Sequence, residues 1–509
     1  MNLLKTASLI VLMTLVGRLL GFFRNVYVSN LYGTGMEADA FGIASTIPLT
    51  LFLVIPGAIN AVLIPTMRGL LDKTDHRRAG ELYHKTLSAI VLVFAALSIA
   101  GVVFSTQIAM LFGTTGEKLL LTAELLRWMW PAALFIGLTG LWSSVCNAHQ
   151  HFFTPTLGTV ANGALVLIAM YLLVPSYGVT GLAMATTIGY IAAALTMLPT
   201  LRRFGYLHRF AFSWKNDEEM KSMGERVIPI LIGAVIAQAT TFLERGFAGA
   251  LGDGKIAALM YANTIVQLPM AVFVGAFTLP LFPLMSSYVK RGEMGLMKTT
   301  LQKGMAYLWI LLLPVTLGLI LYAEPLITLI YKRGEFGDTA VVWTAWGMIF
   351  YSIGLYALAG RDLLTRAFYA LENTKTPVII GAVGIVVYLA VSWLTIPWLD
   401  HGGLAFSASV SAAAQLLLLF ICLWRKIGNP IAASFAATVW KATVAAGLMS
   451  AFIYLADPWL SVLPLWLYLA VGIIVSAVIY GGVLLLLREP LVKEVIGKLL
   501  KRSAGTQRV

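Results

Sequence analysis

Thr154-Pro155 and Gly181-Leu182-Ala183 recur 222 residues later as Thr376-Pro377 and Gly403-Leu404-Ala405. Two further pairs keep the same order at slightly smaller offsets. Gly33-Thr34-Gly35 answers Gly252-Asp253-Gly254 at 219, and Pro65-Thr66-Met67 answers Pro283-Leu284-Met285 at 218. Any one match is weak, but four in one order describe a chain built twice. Each lies in or beside one of fourteen long apolar runs, at about 7–32, 38–66, 86–112, 120–146, 155–174, 179–201, 227–250, 257–288, 304–330, 340–370, 377–398, 403–424, 433–456 and 462–487. A bilayer crossing takes about 20 apolar residues. The runs are continuous rather than alternating, which argues against a β-barrel and for helices that satisfy their own backbone hydrogen bonds. Spans 1–6 thus repeat as spans 7–12. Because six is even, both halves point the same way, about an axis along the membrane normal. The expected fold is an all-α polytopic membrane protein with fourteen transmembrane helices: two six-helix lobes and two appended helices. The expected divisions are 1–203 for the first lobe, 204–226 for a cytoplasmic amphipathic linker, 227–426 for the second lobe, 427–487 for helices 13 and 14, and 488–509 for a basic cytoplasmic tail.

Composition leaves few alternatives. Of 509 residues, 59% are hydrophobic and 12% charged, with a mean hydropathy of +0.86. Soluble domains run at about 45–50% apolar and about 25% charged, so a soluble enzyme, a disordered chain and a secreted domain are excluded. The net charge of +13 (36 Lys and Arg against 23 Asp and Glu) is mostly topology, not a nucleic-acid surface. With the N-terminus in the cytoplasm, 25 basic residues fall in cytoplasmic segments, four (Lys118, Lys255, Lys332, Arg333) in outer loops and seven inside spans. That asymmetry is the positive-inside pattern and places both termini in the cytoplasm. Segments 67–85 and 202–226 read as surface helices against anionic headgroups. Lys5 followed by an apolar run resembles a signal peptide, but Arg18 and Arg24 interrupt the run and no cleavage site stands out, so it reads as a retained first helix. Cys146 and Cys422 lack metal spacing and read as small core residues. His149-Gln150-His151 has no third ligand nearby and reads as a solvated loop. With no Walker A, G-x-S-x-G or HExxH sequence, the expectation is a transporter and not an enzyme, without metal or cofactor, driven by membrane potential or a coupled ion.

The charges left inside the spans carry the functional argument, since each costs at least ~2.5–3.5 kcal/mol to insert and so faces a cavity or a partner. Span 1 holds Gly17-Arg18-Leu19-Leu20-Gly21-Phe22-Phe23-Arg24-Asn25. Gly17 and Gly21 have the spacing that allows close helix approach. Arg18 and Arg24 point about 120° apart, at 3.6 residues per turn, and Asp39 is their nearest counter-ion. The equivalent helix of the second half carries Glu244-Arg245, and span 10 carries Arg361-Asp362 with Arg366 one turn on, candidates for structure or gating. Glu124 and Arg127 read as an i,i+3 pair, while Glu324 and Lys441 read as lone interfacial groups. A surplus of arginine suits an anionic substrate, because guanidinium forks bind phosphate bidentately. Substrate-binding candidates are Arg18, Arg24, Asp39 and Arg245, with Asn25, Asn263 and Gln267 as further cavity groups.

Several motifs together resemble the MurJ/MviN-type lipid II flippases of the multidrug/oligosaccharidyl-lipid/polysaccharide exporter superfamily. They are Gly17 to Arg24, Leu31-Tyr32-Gly33-Thr34-Gly35-Met36-Glu37-Ala38-Asp39-Ala40-Phe41, Tyr261-Ala262-Asn263 through Gln267-Leu268-Pro269, Ile330-Tyr331-Lys332-Arg333-Gly334-Glu335-Phe336, and Arg366 to Leu371 with Lys375-Thr376-Pro377. The resemblance implies two six-helix lobes around a central cavity in the bacterial cytoplasmic membrane. It implies export of an undecaprenyl-pyrophosphate-linked peptidoglycan precursor by a monomer, alongside membrane lipids and cell-wall synthesis proteins. It makes helices 13 and 14 a groove for the undecaprenyl tail, and Arg18, Arg24 and Asp39 the residues that handle pyrophosphate and gate the cavity. The chain departs from the family where Asn263-Thr264 stand for Asp-Arg, Gln267 for an acid, and Phe52-Leu53 for a region with an arginine. Arg245 is the expected substitute for the missing second-lobe charge. Another polyprenyl-linked glycan, or ion-coupled drug export, are the alternative functions.

Overall fold

The computed structural model describes residues 3–47, 50, 52, 54–206, 209–211, 218–429 and 433–494. Part of the expected linker (207, 208, 212–217) and the tail from 495 lie outside them. The described residues are helical almost throughout and contain no strand. In chain order the helices are α1 (Leu3–Tyr32), α2 (Met36–Thr46), α3 (Val54–Asp72), α4 (His76–Val103), α5 (Ser105–Met110), α6 (Gly116–Met129), α7 (Ala132–Ala148), α8 (Phe153–Arg203), α9 (Glu218–Ala250) and α10 (Lys255–Pro269). After a π-helical turn at Met270–Val274 come α11 (Gly275–Lys290), α12 (Met294–Leu321), α13 (Ala323–Tyr331), α14 (Asp338–Ile353), α15 (Leu355–Ala370), α16 (Lys375–Leu399), α17 (His401–Ile427), α18 (Ala433–Leu460) and α19 (Leu465–Leu486). Among the described residues ten helices are long and apolar enough to cross a membrane, eleven with the bent pair α14–α15. Counting α8 as two and adding α1 and the α2–α3 pair accounts for the fourteen runs.

The internal repeat is written into backbone geometry. α8 is two spans joined at Gly178, whose φ of 55° and ψ of −140° break the helix. The residue 222 positions later, Asp400, adopts φ 52° and ψ −136° between α16 and α17. Just beyond each corner a glycine lets the returning helix touch the outgoing backbone. A Cβ on Gly181 would lie 2.9 Å from the backbone of Leu173, and one on Gly403 would lie 2.9 Å from that of Thr395, again 222 apart. The sequence matches at Gly181 and Gly403 therefore record a steric requirement. Gly178 meets its corner's requirement without strain; Asp400 does not.

The chain divides into two compact units: the residues up to Ala257 with Arg333–Phe336, and the remainder. The first unit takes in α9, which packs on α3 and α4 although the repeat places it at the head of the second half. Phe52, which stands where an arginine was expected by resemblance, is buried and packs edge-on against Trp130 at 5.4 Å and against Phe94 at 5.7 Å. Gly17 of α1 faces Thr159 of α8, whereas Gly21 faces open space, so only half of the expected small-residue contact is used.

The His149-Gln150-His151 turn is not simply solvated. His149 stacks on Phe204 at 4.3 Å, and its Nε2 lies 3.0 Å from the Tyr206 hydroxyl. Gln150 turns its amide oxygen to Arg68. Burial, then His76 and Arg68, hold the His149 imidazole below its usual value of 6.5, while burial pushes Tyr206 up to about 12.

Two predictions follow from the corners and this turn. Asp400→Gly raises the thermal midpoint of the purified protein, because relief of roughly 1–3 kcal/mol of backbone strain outweighs a half-exposed pair to His401 at 3.5 Å. Gly178→Ala, with nothing near its Cβ, lowers the midpoint through conformation alone. For His149, the unfolded chain takes up a proton before the folded one as pH falls below about 6.5, so the site loses stability on acidification. His149→Gln flattens that part of the midpoint-against-pH curve; an unchanged slope contradicts the assignment.

Candidate functional site

Asp39, in the first turn of α2, is fully buried and uses both carboxylate oxygens. Oδ2 accepts from Lys118 Nζ at 2.7 Å and from the Gly254 amide at 2.8 Å; Oδ1 accepts from the Ala257 amide at 2.8 Å. The last two donors flank the start of α10, where helix amides are left without partners and the dipole favours an anion. Asp39 thus caps a helix 215 residues away in sequence. Lys118, in the first turn of α6 and 7% exposed, also reaches Asp253 at 3.1 Å. Arg245, 8% exposed near the end of α9, donates to the carbonyl of Ile256 at 2.9 Å. One carboxylate, one ammonium and one guanidinium therefore join α2, α6 and the α9–α10 turn. Every loop in this joint lies at the end that the basic-residue map assigns to the outer face.

Two of the motifs that carried the resemblance meet here as well. Glu335 donates its amide to Asn30 O at 3.0 Å. Gly33 (φ 51°) and Gly334 (φ 58°) admit no side chain: a Cβ on either would lie within 2.3 Å of a backbone oxygen of the other segment. The contact brings residues 333–336 into the first unit.

The other predicted residues are spread out. Arg18 is exposed; Arg24 is half-buried beside Tyr190, its Nε buried without a hydrogen-bond partner. Asn25 and Glu244 are buried. In the second unit Asn263 is half-buried and Gln267 exposed on α10, just before the π-helical turn. Asp362 accepts from its immediate neighbour Arg361 at 3.1 Å rather than pairing with Arg366. Asp362 and Arg366 line a small cavity of about 240 Å³ with Phe282 and Tyr369. Glu124 and Arg127 do not pair with each other as expected: Glu124 accepts from Thr180 at 3.0 Å and Arg127 donates to Ser105 at 3.1 Å. Nor is Lys441 alone; it lies 3.4 Å from Glu489, whereas Glu324 is exposed in the first turn of α13. No group of three metal-ligating side chains occurs among the described residues. Sequence reading missed Lys118, which it had placed in an outer loop for topology. Its signal was an isolated base three residues past Gly113-Thr114-Thr115, too common to single out.

Between α12, α18 and α19 runs an apolar groove of about 450 Å³, lined by Ile310, Pro314, Met449, Ile453 and Tyr480 among others. Pro314 cannot donate a hydrogen bond to the carbonyl four residues back. Tyr480 supplies the missing donor, its hydroxyl lying 2.7 Å from Ile310 O.

Residues 28–476 match the family described as "Lipid II flippase MurJ". The probable lipid II flippase MurJ of Buchnera aphidicola subsp. Schizaphis graminum is 27% identical over 433 residues, 84% of each chain. The lipid II flippase MurJ of Burkholderia cenocepacia is 27% identical over 467 residues, 88% of this chain and 90% of that one. Among solved structures, a lipid II flippase MurJ in an inward closed conformation superposes with a TM-score of 0.81 at 21% identity, covering 96% of this chain and 99% of that one. An inward-facing multidrug resistance MATE-family transporter of the MOP superfamily gives 0.69 at 14% identity, covering 81% and 94%.

Replacing Asp39 by Asn takes away the buried partner of Lys118 and leaves it only the exposed Asp253, and breaking a buried pair on one side costs about 3–5 kcal/mol. Asp39→Asn should therefore lower the thermal midpoint markedly, and adding Lys118→Met should restore much of the loss. Additive losses in the double variant contradict the pairing.

Proposed function

The chain belongs to the lipid II flippase MurJ family, and from that premise we propose that it moves undecaprenyl-pyrophosphate-linked peptidoglycan precursor from the inner to the outer leaflet by alternating access. The reading needs no covalent chemistry. The observation that carries it is Arg24: a guanidinium inside the first span, half-buried, with its Nε unpartnered and its immediate neighbour Asn25 polar. A guanidinium whose buried Nε–H lacks a partner is suited to take an anion, and phosphate oxygens match its fork. Arg18 is an exposed second cation six residues earlier. The apolar groove between α12, α18 and α19 takes the polyprenyl tail.

The joint around Asp39 is the gate in this account. It holds the outer end shut, and releasing the cargo outward requires the carboxylate to give up its three donors together. Moving one charge through the membrane potential involves ~2.3 kcal/mol per 100 mV, enough to bias the resetting step. The protein acts as a monomer in the bacterial cytoplasmic membrane, both termini in the cytoplasm, beside the enzymes that make and use the precursor. Arg245, held by the Ile256 carbonyl, belongs with the gate more than with the cargo.

A second reading, flipping of another polyprenyl-linked glycan, draws on Phe52. That position is filled by an aromatic cluster, and Asn263 and Gln267 are neutral, so fewer charges meet the cargo than the resemblance implies. Ion-coupled drug export fits less well, since the MATE-family fold is the more distant match.

The test is depletion of the protein followed by measurement of lipid II exposed on the outer face. Depletion should trap lipid II inside, wild type should restore exposure, and Arg24→Ala should reduce it about tenfold or more, one charge-assisted hydrogen bond being worth about 1.5–3 kcal/mol. Arg24→Lys should recover part of the loss. Full exposure with Arg24→Ala would remove the arginine from the mechanism; trapping of a different lipid-linked glycan would select the second reading.

A further inference from the structure

A cavity of about 430 Å³ opens between α12, α18 and residues 489–491 just past the end of α19, with Lys303, Lys441, Thr438 and Glu489 in a partly apolar wall. It lies nearer than the apolar groove to the end that the basic-residue map assigns to the cytoplasm. Along α12 the two are one stripe: Thr299, Lys303 and Ala306 line the cavity, and Ile310, Pro314 and Gly318 continue at helical spacing along the groove. Eleven residues separate Lys303 from Pro314, about 16 Å of helix, or one leaflet of a ~30 Å hydrocarbon core. Trp440, 70% exposed beside Lys441, marks the headgroup level. A pocket with charged groups in its wall at that level, above an apolar slot, has the layout of a single lipid.

The wall of the pocket says which headgroup. Glu489 is 1% exposed; its Oε1 accepts from Thr438 at 2.8 Å, and its Oε2 has no hydrogen bond. What covers Oε2 is Lys441 Nζ, at 3.4 Å, a quarter-exposed group that also sits 3.5 Å from the Arg488 carbonyl. Among the described residues Lys303, half-exposed, is held only by Glu494 at 3.8 Å. Two loosely held cations thus flank one deeply buried carboxylate. A purely anionic head would satisfy the lysines and repel Glu489, and a pyrophosphate more so. A choline head would offer Glu489 a charge without a hydrogen-bond donor. An ammonium replaces Lys441 on Oε2 and frees that lysine, with Lys303, for the phosphate next to it.

We propose that this slot binds an aminophospholipid of the inner leaflet, with its primary ammonium on Glu489, its phosphate on Lys303 and Lys441, and one acyl chain in the groove. The chain keeps the groove filled when no polyprenyl tail is there; this last point rests on the proposed function, whereas the headgroup site does not.

The test uses the full-length protein, stripped of lipid in detergent, mixed with dioleoyl phosphatidylethanolamine, phosphatidylcholine or phosphatidylglycerol and read by native mass spectrometry. The ethanolamine lipid should be retained about tenfold more than the other two. Glu489→Gln should erase that preference, and the exposed Lys303→Gln, which leaves the packed wall intact, should weaken retention of all three. Equal or stronger binding of the glycerol lipid, a preference that survives Glu489→Gln, or retention unaffected by Lys303→Gln would overturn the proposal. If Glu489→Gln does not fold, the wild-type selectivity and Lys303→Gln still decide it. No transport is measured, so failure of the flippase reading and failure of this site remain separate results.

Discussion

A carboxylate removed from water is stable only if donors replace the water it lost, and Asp39 meets this with an ammonium and two backbone amides. The requirement reaches well beyond one residue. To deliver its amides, the segment 254–257 must stop in the geometry of a helix start; to deliver its ammonium, α6 must begin within reach of α2. Lys118 must then be buried too, and Asp253 compensates its remaining charge. The glycine contacts at 33 and 334 and the Arg245 bond to Ile256 close the same end. The result is a joint whose parts depend on a single charge, the property the proposed gate requires.

How much of this the sequence disclosed depended on whether a residue's role is local. The spans were readable because hydrophobic runs of about 20 residues have few other uses. The repeat was readable because Gly181 and Gly403 are forced by backbone contact, and the structure adds the corner at Gly178 and Asp400. Asp39 stood out as a charge at a span start, but not its partners: two are backbone amides, which carry no sequence signal, and the third is a lysine that topology alone had explained. Side-chain pairs guessed from helical spacing failed at Glu124 and Arg127, because side chains on tightly packed helices reach neighbouring helices before their own, and at Arg366, because Asp362 is taken by the adjacent Arg361.

The second unit shows the same economy in an apolar setting. Pro314 frees the carbonyl of Ile310, and Tyr480 from α19 binds it. An unpaired carbonyl inside an apolar groove would cost several kcal/mol, so the proline in the wall of the groove and the tyrosine opposite belong together. Where the family resemblance led one to expect arginine, Phe52 makes the neighbouring packing aromatic.

The central claim is that the charge of Asp39 holds α2, α6 and the α9–α10 turn together. Amide hydrogen exchange in the purified protein tests it most directly, because Gly254 and Ala257 are the very amides the carboxylate binds. The account predicts slow exchange at these amides in the wild type. It predicts exchange about tenfold faster or more in Asp39→Asn, with the acceleration confined to them and to the Lys118 turn. Unchanged protection at Gly254 and Ala257, or loss of protection spread through the whole chain, would contradict it.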